Sequence, residues 1–306
     1  MLAGGVGAAR LLRGLNSLLD PRRLTVIVNT GDDETFFGLH VSPDIDTVIY
    51  TLADQVHPVQ GWGLRDDTFA GLTALGRFFD ATWFRLGDAD LATHIFRTAA
   101  LRSGRTLRAA TADIARAFGV RVTVLPMSDA PVRTTVEVAG RGDLPFQQYL
   151  VRNHARGRVN AIKLRGASRA RPAPGVLEAI RRARWVIIPP SNPLVSIGPI
   201  LALPGVRSSL QKMRSRVAAI SPIIAGAAVK GPLPRMLRGL GHEVSPLGVA
   251  RLYRQVAGIF VIDRRDAALA PGVAALGMRP VVTDTLMTTR AKSRRLAATA
   301  LAALRQ

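Results

Sequence analysis

Short runs of β-branched and other apolar residues alternate with longer helical patterns along this 306-residue chain. The runs that read as buried strands lie at residues 24–29, 120–125, 185–189, 217–220 and 259–263. Continuous apolar runs separated by helices are typical of parallel strands that are buried on both faces. The pattern therefore predicts an α/β fold with a mainly parallel sheet covered by helices on both sides.

The organisation predicted for residues 1–306 is a single domain, because no internal repeat or low-complexity linker interrupts the chain. Residues 48–110 carry helical stretches and few strand signals, which indicates a mostly helical insertion. Residues 134–147 alternate in polarity around two glycines, as in a hairpin. Only about three residues precede the first glycines, so either the first strand is short or the start is truncated.

Composition narrows the classes of function. The chain has no cysteine, which excludes disulfides, thiolate zinc sites and a cysteine nucleophile and is compatible with a reducing cytoplasm. A net charge of +21 attracts phosphate-rich partners, but the arginines are scattered and only 5% of residues are aromatic, which argues against nucleic-acid binding. No apolar stretch is long enough for a membrane span, so we expect a cytoplasmic protein without a membrane anchor.

A glycine-rich turn at residues 4–10 follows the first strand and precedes an amphipathic helix. Such a turn brings backbone N–H groups close to a phosphate at a helix N-terminus. It lacks the full dinucleotide spacing because Arg10 stands where the last glycine would be. A tight structural turn and a phosphate site both remain open for it.

Four carboxylates within 15 residues follow the strand at 24–29: Asp32 and Asp33 at its carboxyl end, then Asp44 and Asp46 in the first turn of a helix that Ser42 is expected to cap. The carboxyl ends of parallel strands are where open α/β sheets bind ligands. A solvated turn and a helix-dipole effect are the structural alternatives. Hard oxygen ligands beside a glycine turn in a basic chain indicate a Mg²⁺ site.

Asp90, His94 and Arg97 fall at helical spacing and share one face if their segment is helical. The face is either a surface with an internal ion pair, or a site where the histidine assists proton transfer and the arginine holds a phosphate. Two polar, proline-constrained turns, 190–199 and 221–226, also follow apolar strands. They are rigid loops by themselves, but beside the glycine-rich strand ends they would complete one crevice along the sheet.

Taken in order along nearly the whole chain, these segments resemble the 2-phospho-L-lactate transferase family. Further matching pieces are residues 61–63, 67–68, 86–97, 125–129 and 284–288. The resemblance implies a three-layer Rossmann-like fold, a homodimer and a Mg²⁺-dependent reaction without a redox step. In the family, a ribityl hydroxyl of the deazaflavin Fo attacks a guanosine-diphosphate-linked phospho-acid and GMP leaves, as part of coenzyme F-420 biosynthesis.

The resemblance also assigns roles to residues. Asp46 and Arg85 match the family's deazaflavin contacts, and Arg85 stands where some relatives have lysine. Asp46 is expected to orient the attacking hydroxyl, with Asp33 and His94 as further catalytic candidates, although a structural hydrogen bond stays open for His94. The remaining expectations are a nucleotide site at Gly5, Gly7, Ser191, Asn192 and Ser221, a phosphate contact at Arg97, and Mg²⁺ ligands among Asp32, Asp33, Asp44 and Asp46.

The acid of the donor stays open among lactate, enolpyruvate and glycerate. The nearest alternative function is a related nucleotide-sugar-binding regulator that does not catalyse a reaction. A basic nucleic-acid-binding protein is a more distant alternative, which salt-sensitive mobility shifts would reveal.

Overall fold

The computed structural model describes residues 1–306. Its strands, in chain order, are β1 (Leu2–Ala3), β2 (Thr25–Val28), β3 (Glu34–Phe36), β4 (Leu39–Val41), β5 (Thr123–Pro126), β6 (Arg133–Val138), β7 (Gly142–Pro145), β8 (Val159–Arg165), β9 (Val186–Ile188), β10 (Val217–Ile220), β11 (Ile223–Ile224), β12 (Ala227–Ala228), β13 (Ile259–Asp263) and β14 (Arg279–Thr283). All five strands predicted from apolar runs are present, as β2, β5, β9, β10 and β13.

The helices are α1 (Gly5–Asn16), α2 (Pro43–Leu52), α3 (Ala70–Leu75), α4 (Asp88–Arg102), α5 (Leu107–Ala117), α6 (Val176–Arg182), α7 (Gly198–Ala202), α8 (Val206–Lys212), α9 (Leu233–Gly239), α10 (Pro246–Tyr253), α11 (Ala270–Ala275) and α12 (Arg290–Arg305). A π-helical turn spans Gln148–Arg152. Between residues 48 and 110 lie the end of α2, α3, α4 and the start of α5, joined by loops. None of the helices combines the length and apolar character that crossing a membrane requires.

The central strands are all parallel and form two ladders, β5-β2-β1 and β9-β10-β13-β14. β1 lies beside β9, although no ladder joins them. If the seven parallel strands are numbered in chain order, their spatial order is 3-2-1-4-5-6-7, as in dinucleotide-binding sheets. The order in which strands are added changes from one side of the sheet to the other between β1 and β9. The α/β prediction is confirmed, and the reversal locates the crevice in which such sheets bind ligands.

Both faces of the sheet are buried, because alternate strand residues enter two different hydrophobic cores. In β13, Phe260 and Ile262 pack into one core with residues of α6, α8 and α10, while Ile259 and Val261 pack into the other with α1, α2 and α12. Helices therefore cover each face, as three layers require. Substituting alanine for the fully buried Phe260 would cost about 3–5 kcal/mol of stability, the range measured for such core truncations.

The alternating segment near residue 140 forms the predicted hairpin. β6 pairs antiparallel with β7, with Val136 opposite Leu144, and β8 adds a third antiparallel strand. Gly140 lies in the turn between β6 and β7 and Gly142 is the first residue of β7; both have positive φ angles that favour glycine. The π-helical turn follows β7 directly and so connects this small sheet to the crevice.

The start of α2 corrects one expectation about its cap. Pro43 occupies the first helical position and Asp44 and Asp46 lie in the first turn, as predicted. Ser42 stands at the N-cap position, but its side chain makes no capping hydrogen bond. Its hydroxyl instead donates to Asp33 Oδ2 at 2.8 Å, because that buried carboxylate competes for the donor.

Candidate active site

Two adjoining cavities open at the reversal point of the sheet. The first, here the glycine-turn cavity, has a volume of about 440 Å³ and lies between the N-terminus of α1 and the loops after β9, β10 and β14. The second, here the Asp46 cavity, has a volume of about 640 Å³ and lies between α2, α4 and the π-helical turn. The residues that line both cavities, here the shared wall, are Gly5, Val6, Asp32, Asp44, Trp62, Leu150 and Val151.

The glycine turn touches the loop after β9 so closely that a side chain would not fit. A Cβ atom at Gly7 would lie 2.4 Å from the carbonyl oxygen of Pro190, and one at Gly4 would lie 2.7 Å from Ser196 Cβ. Ser191 Oγ also donates to the Gly4 carbonyl at 2.7 Å. These contacts join the ends of β1 and β9 where the ladders do not.

Asp32 and Asp44 are brought together by Asn29, whose Nδ2 donates to an oxygen of each at 2.9 Å. Gln147 Nε2 donates to the other oxygen of Asp32 at 3.1 Å, and the Gly5 amide donates to the other oxygen of Asp44 at 2.6 Å. All these donors are neutral amides. The two buried carboxylates face both cavities, and neither forms an ion pair with a side-chain cation, although the charge of Arg133 acts on Asp32 from a distance.

The uncompensated charge is reflected in the pKa values of the pair. Burial, together with the neighbouring Asp44 and Asp33, holds the pKa of Asp32 well above its usual range. Burial raises the pKa of Asp44 to about 6, although hydrogen bonds from Asn29 and Gly5 oppose the shift. Two carboxylates that keep free lone pairs and lack a cation match the donor chemistry of a Mg²⁺ site.

The four predicted metal ligands do not form one cluster. Asp33 lines neither cavity, since its Oδ2 accepts hydrogen bonds from Ser42 Oγ and lies 3.0 Å from His40 Nε2. Asp46 lines the Asp46 cavity but is already paired with Arg97, whose Nη1 donates to Asp46 Oδ2 at 3.1 Å and whose Nη2 donates to Oδ1. Asp32 and Asp44 are the two whose charge remains free for a cation.

His94 lies buried between two carboxylates. Its Nδ1 is 3.7 Å from Asp46 Oδ2, and its Nε2 is 3.3 Å from Asp90 Oδ2. Tyr50 completes the cluster by donating to Asp90 Oδ1 at 2.6 Å. Single oxygens of Asp46 and Asp90 and a His94 nitrogen lie within 4.8 Å of one another, but Arg97 already neutralises Asp46, which disfavours a metal ion there.

Arg97 is fully buried behind Asp46 and lines neither cavity. Burial alone would lower its pKa, but the charge and hydrogen bonds of Asp46, with smaller contributions from Tyr50 and Asp33, together raise it. Burial raises the pKa of Asp46, although Arg97 and His94 oppose that shift. Arg97 therefore reaches the site through Asp46 and does not itself face either cavity.

The other predicted residues line the cavities, but several use their polar groups to hold their own loops. Arg85 is exposed at the rim of the Asp46 cavity and stacks over the Phe69 ring at 4.1 Å. In the glycine-turn cavity, Asn192 Oδ1 accepts from the Leu194 amide at 2.9 Å, and Ser221 Oγ donates to the Ile223 carbonyl at 2.8 Å. The side chains of these two loops shape the cavity.

Several residues that line the cavities were not predicted from the sequence to be site residues. Gln147 holds Asp32 from 115 positions away, so no local spacing could reveal it. Lys230 and Arg10 add positive charge to the glycine-turn cavity, and Trp62 borders both cavities. Trp62 belongs to the piece at residues 61–63 that matches the family, but the sequence assigned it no role at a site.

Comparison with known proteins places these features in a family context. The family model "2-phospho-L-lactate transferase CofD" matches residues 1–301. The chain is 43% identical to the 2-phospho-L-lactate transferase of Methanosarcina acetivorans over 297 residues, covering 97% of this chain and 96% of that protein. It is also 43% identical to the phosphoenolpyruvate transferase of Streptomyces griseus over 293 residues, covering 94% and 92%.

Among solved structures, the fold is similar to that of protein BH3568 from Bacillus halodurans, described as a member of the UPF0052 family. The TM-score is 0.62 at 16% sequence identity, and the match covers 98% of this chain and 97% of that one. Identity this low supports the likeness of the fold alone.

Proposed function

Because the chain belongs to the 2-phospho-L-lactate transferase family, we propose that it moves a phospho-acid from a guanosine-diphosphate-linked donor to the ribityl hydroxyl of the deazaflavin Fo, releasing GMP, in coenzyme F-420 biosynthesis. Family membership makes it a transferase; the donor, the acceptor and Mg²⁺ are the proposal. One observation carries it: two cavities of ligand size meet at a pair of uncompensated carboxylates.

The donor nucleotide fits the glycine-turn cavity. The N-terminus of the 12-residue helix α1 opens onto this cavity, where helix amides favour a phosphate group. The amide of Gly5 is engaged by Asp44, so the donor would rely on the following amides of the turn. Arg10 supplies positive charge at the same cavity, as a diphosphate requires.

The deazaflavin fits the Asp46 cavity. Trp83, Phe84 and Tyr50 give it an aromatic lining, which suits a flat ring system, and Arg85 lies at its rim. Asp46 is the carboxylate in this cavity that a fully buried arginine holds in one orientation. A ribityl hydroxyl reaching from this cavity toward the shared wall would pass its proton to Asp46.

In the proposed step, the hydroxyl oxygen forms a bond to the phosphorus that carries the acid. The bond from that phosphorus to the oxygen of GMP breaks, and GMP leaves with the electron pair. The hydroxyl proton moves to Asp46, whose pKa is raised by burial and is thereby better matched to accept it. Because Asp46 and the shared wall border one cavity, the acceptor need not move between binding and attack.

Asp32 and Asp44 are the residues that would hold Mg²⁺, since both are buried, both have raised pKa values and neither forms an ion pair with a side-chain cation. A bound Mg²⁺ neutralises charge on the diphosphate that the chain's own groups leave uncompensated. Asn29, which lines neither cavity, and Gln147, which lines the Asp46 cavity, would fix the orientation of the two carboxylates.

The test is to incubate the purified protein with Mg²⁺ and Fo, together with each guanylylated acid in turn: lactyl, enolpyruvyl and glyceryl. A phosphodiester product of the expected mass with at least one donor supports the proposal. If every donor fails, the transferase proposal fails. A non-catalytic nucleotide-binding regulator would instead bind guanosine diphosphate and yield no product with any acid.

We also propose that the protein is a homodimer. The outer face of α4 exposes Ile95 and Phe96, and the loop after α3 exposes Phe78 and Phe79. Exposed apolar side chains in one region support an interface with a second copy. Light scattering coupled to size-exclusion chromatography would give about twice the 32.8 kDa chain mass, whereas a monomer mass would contradict the proposal.

A further inference from the structure

The acid of the donor has to lie where the two cavities meet. In the reaction proposed above, on which this inference rests, the leaving GMP fills the glycine-turn cavity and the acceptor fills the Asp46 cavity. The acid is attached to the phosphorus under attack, and it stays attached to the product. Since the phosphorus under attack must lie where the two cavities meet, the acid bonded to it lies beside the residues of the shared wall.

The shared wall has a charged side and an apolar side. Asp32 and Asp44 form the charged side, and Val6, Trp62, Leu150 and Val151 form the apolar side. The four apolar side chains are only partly buried and are thus available to a ligand. They come from three separate segments of the chain: the glycine turn, the loop at residues 57–63 and the π-helical turn.

Close packing holds two of these segments together. A Cβ atom at Gly61 would lie 2.7 Å from Val6 Cγ1, so the backbone next to Trp62 rests directly on the glycine turn. Gly61 has φ +73°, which a residue with a side chain would adopt only under strain. The apolar side of the shared wall is therefore a fixed surface rather than a loose rim.

Lys230 is the cation tied to this surface. Its Nζ donates to the carbonyl oxygen of Gln60 at 2.7 Å, on the loop that carries Trp62. Arg10, the other side-chain cation of the glycine-turn cavity, is directed toward the Met287 carbonyl at 3.4 Å. Partial burial and the charge of Arg10 lower the pKa of Lys230, so an anion placed beside it is favoured.

We propose that the shared wall is the acid subsite, with the third carbon of the acid against Val6, Trp62, Leu150 and Val151 and the carboxylate at Lys230. The substrate class is then a small 2-phospho carboxylic acid with an apolar third carbon. The methyl group of lactate and the methylene group of enolpyruvate meet this condition. The hydroxymethyl group of glycerate would lose its hydrogen bonds to water without gaining a partner.

The first experiment compares guanylylated lactate, enolpyruvate and glycerate by kcat/KM with Fo and, without Fo, by calorimetric affinity. Apolar pockets discriminate against an added hydroxyl by about 10- to 100-fold, so the glyceryl donor should be weaker by that factor in both measurements. Equal or better use of the glyceryl donor would overturn the acid subsite while leaving the transferase function intact. Absence of product with all three donors would instead defeat the transferase function.

Variants of the shared wall test whether its side chains cause the discrimination against the glyceryl donor. Val6→Thr and Val151→Thr each add a hydroxyl to the shared wall at nearly constant volume. Each should lower the ratio of kcat/KM for the lactyl donor to kcat/KM for the glyceryl donor several-fold. The control is Val59→Thr, at a residue that is 80% exposed and lines neither cavity. A ratio that stays at the wild-type value in both wall variants would overturn the assignment of these side chains.

Lys230→Met keeps the length of the side chain and removes its charge. If Lys230 binds the carboxylate, affinity for the lactyl donor should fall about tenfold or more, while affinity for guanosine diphosphate, which lacks the acid, stays unchanged. An equal loss for guanosine diphosphate would assign Lys230 to the diphosphate and overturn its role at the acid. No loss for either ligand would overturn that role as well.

Discussion

Arg97 donates hydrogen bonds to both carboxylate oxygens of Asp46 from a fully buried position. The arrangement gives Asp46 one orientation and neutralises it, so this carboxylate is poorly suited to hold a metal ion. It also links catalysis to folding, because the same side chain that faces the Asp46 cavity balances a buried charge.

Asp46→Asn should therefore lower the stability of the folded protein as well as kcat. The substitution leaves a buried guanidinium without its counter-charge, and breaking a buried ion pair from one side costs about 3–5 kcal/mol. Urea unfolding followed by circular dichroism measures the loss. The control is Asp113→Asn, whose partners Arg105 and Arg116 are exposed, so that solvent screening should make its cost much smaller. Equal costs in the two variants would contradict the role of the Asp46 pair.

Binding of Mg²⁺ should strengthen as pH rises through about 6. The pKa of Asp44 is about 6 in the folded protein, above its usual 3.8, so the folded state holds this proton more tightly than the unfolded chain. The stabilising contribution of Asp44 is complete below about pH 4 and is lost as pH rises through 6, at a cost of up to about 3 kcal/mol. A cation at Asp32 and Asp44 would offset that loss.

The measurement is thermal unfolding at pH 5 and pH 7.5, with and without Mg²⁺. We expect a larger increase in Tm on adding Mg²⁺ at pH 7.5, and Asp44→Asn should remove most of the difference between the two pH values. If Mg²⁺ raises the Tm of the wild type equally at both pH values, Asp32 and Asp44 are not the groups whose deprotonation strengthens Mg²⁺ binding.

Gly7→Ala should weaken both the fold and nucleotide binding. The added methyl group would lie 2.4 Å from the Pro190 carbonyl oxygen, a backbone atom that cannot rotate away. Overpacking of this kind costs about 1–3 kcal/mol and would push the glycine turn away from the loop after β9. Urea unfolding and calorimetry with guanosine diphosphate report the two effects.

Gly272→Ala is the matched control for Gly7→Ala. Its methyl group would meet only the Leu247 side chain, at 3.2 Å, which can move. Unchanged stability and affinity in Gly7→Ala would show that the two loops tolerate separation.

The fluorescence of Trp62 should respond to ligands in either cavity. Trp62 lines both cavities and Trp83 lines only the Asp46 cavity. Trp185 lies away from both cavities, at the amino-terminal ends of the central strands. Guanosine diphosphate should therefore change the emission of the wild type and of Trp83→Phe, but not that of Trp62→Phe. A full response in Trp62→Phe would mean that the nucleotide binds elsewhere.

The parallel sheet could be predicted because its strands are buried on both faces and so appear as unbroken apolar runs. Residues 217–220 and 259–263 were identified with the bounds that β10 and β13 have in the structure. The short strands β3 and β4 could not be predicted, since each has only three residues, too few to show a strand pattern.

The site was predictable as a set of segments but not as a set of contacts. Sequence spacing grouped four carboxylates within 15 residues, yet it could not show that Asn29 joins Asp32 to Asp44 while Arg97 takes Asp46. Those partners lie up to 51 positions apart along the chain. Helical spacing did bring His94 and Arg97 to one face, and that face points to Asp46 rather than to solvent.

The gap between the β1 and β9 ladders has a mechanical consequence. No ladder bond joins β1 to β9, so a small shift of one half of the sheet relative to the other would break no ladder bond. Side-chain and loop contacts such as Ser191 to Gly4 are what span the gap. A nucleotide bound there would contact both halves of the sheet and so hold them together. Its binding should therefore slow amide hydrogen exchange in β1 and β9 relative to the protein without nucleotide.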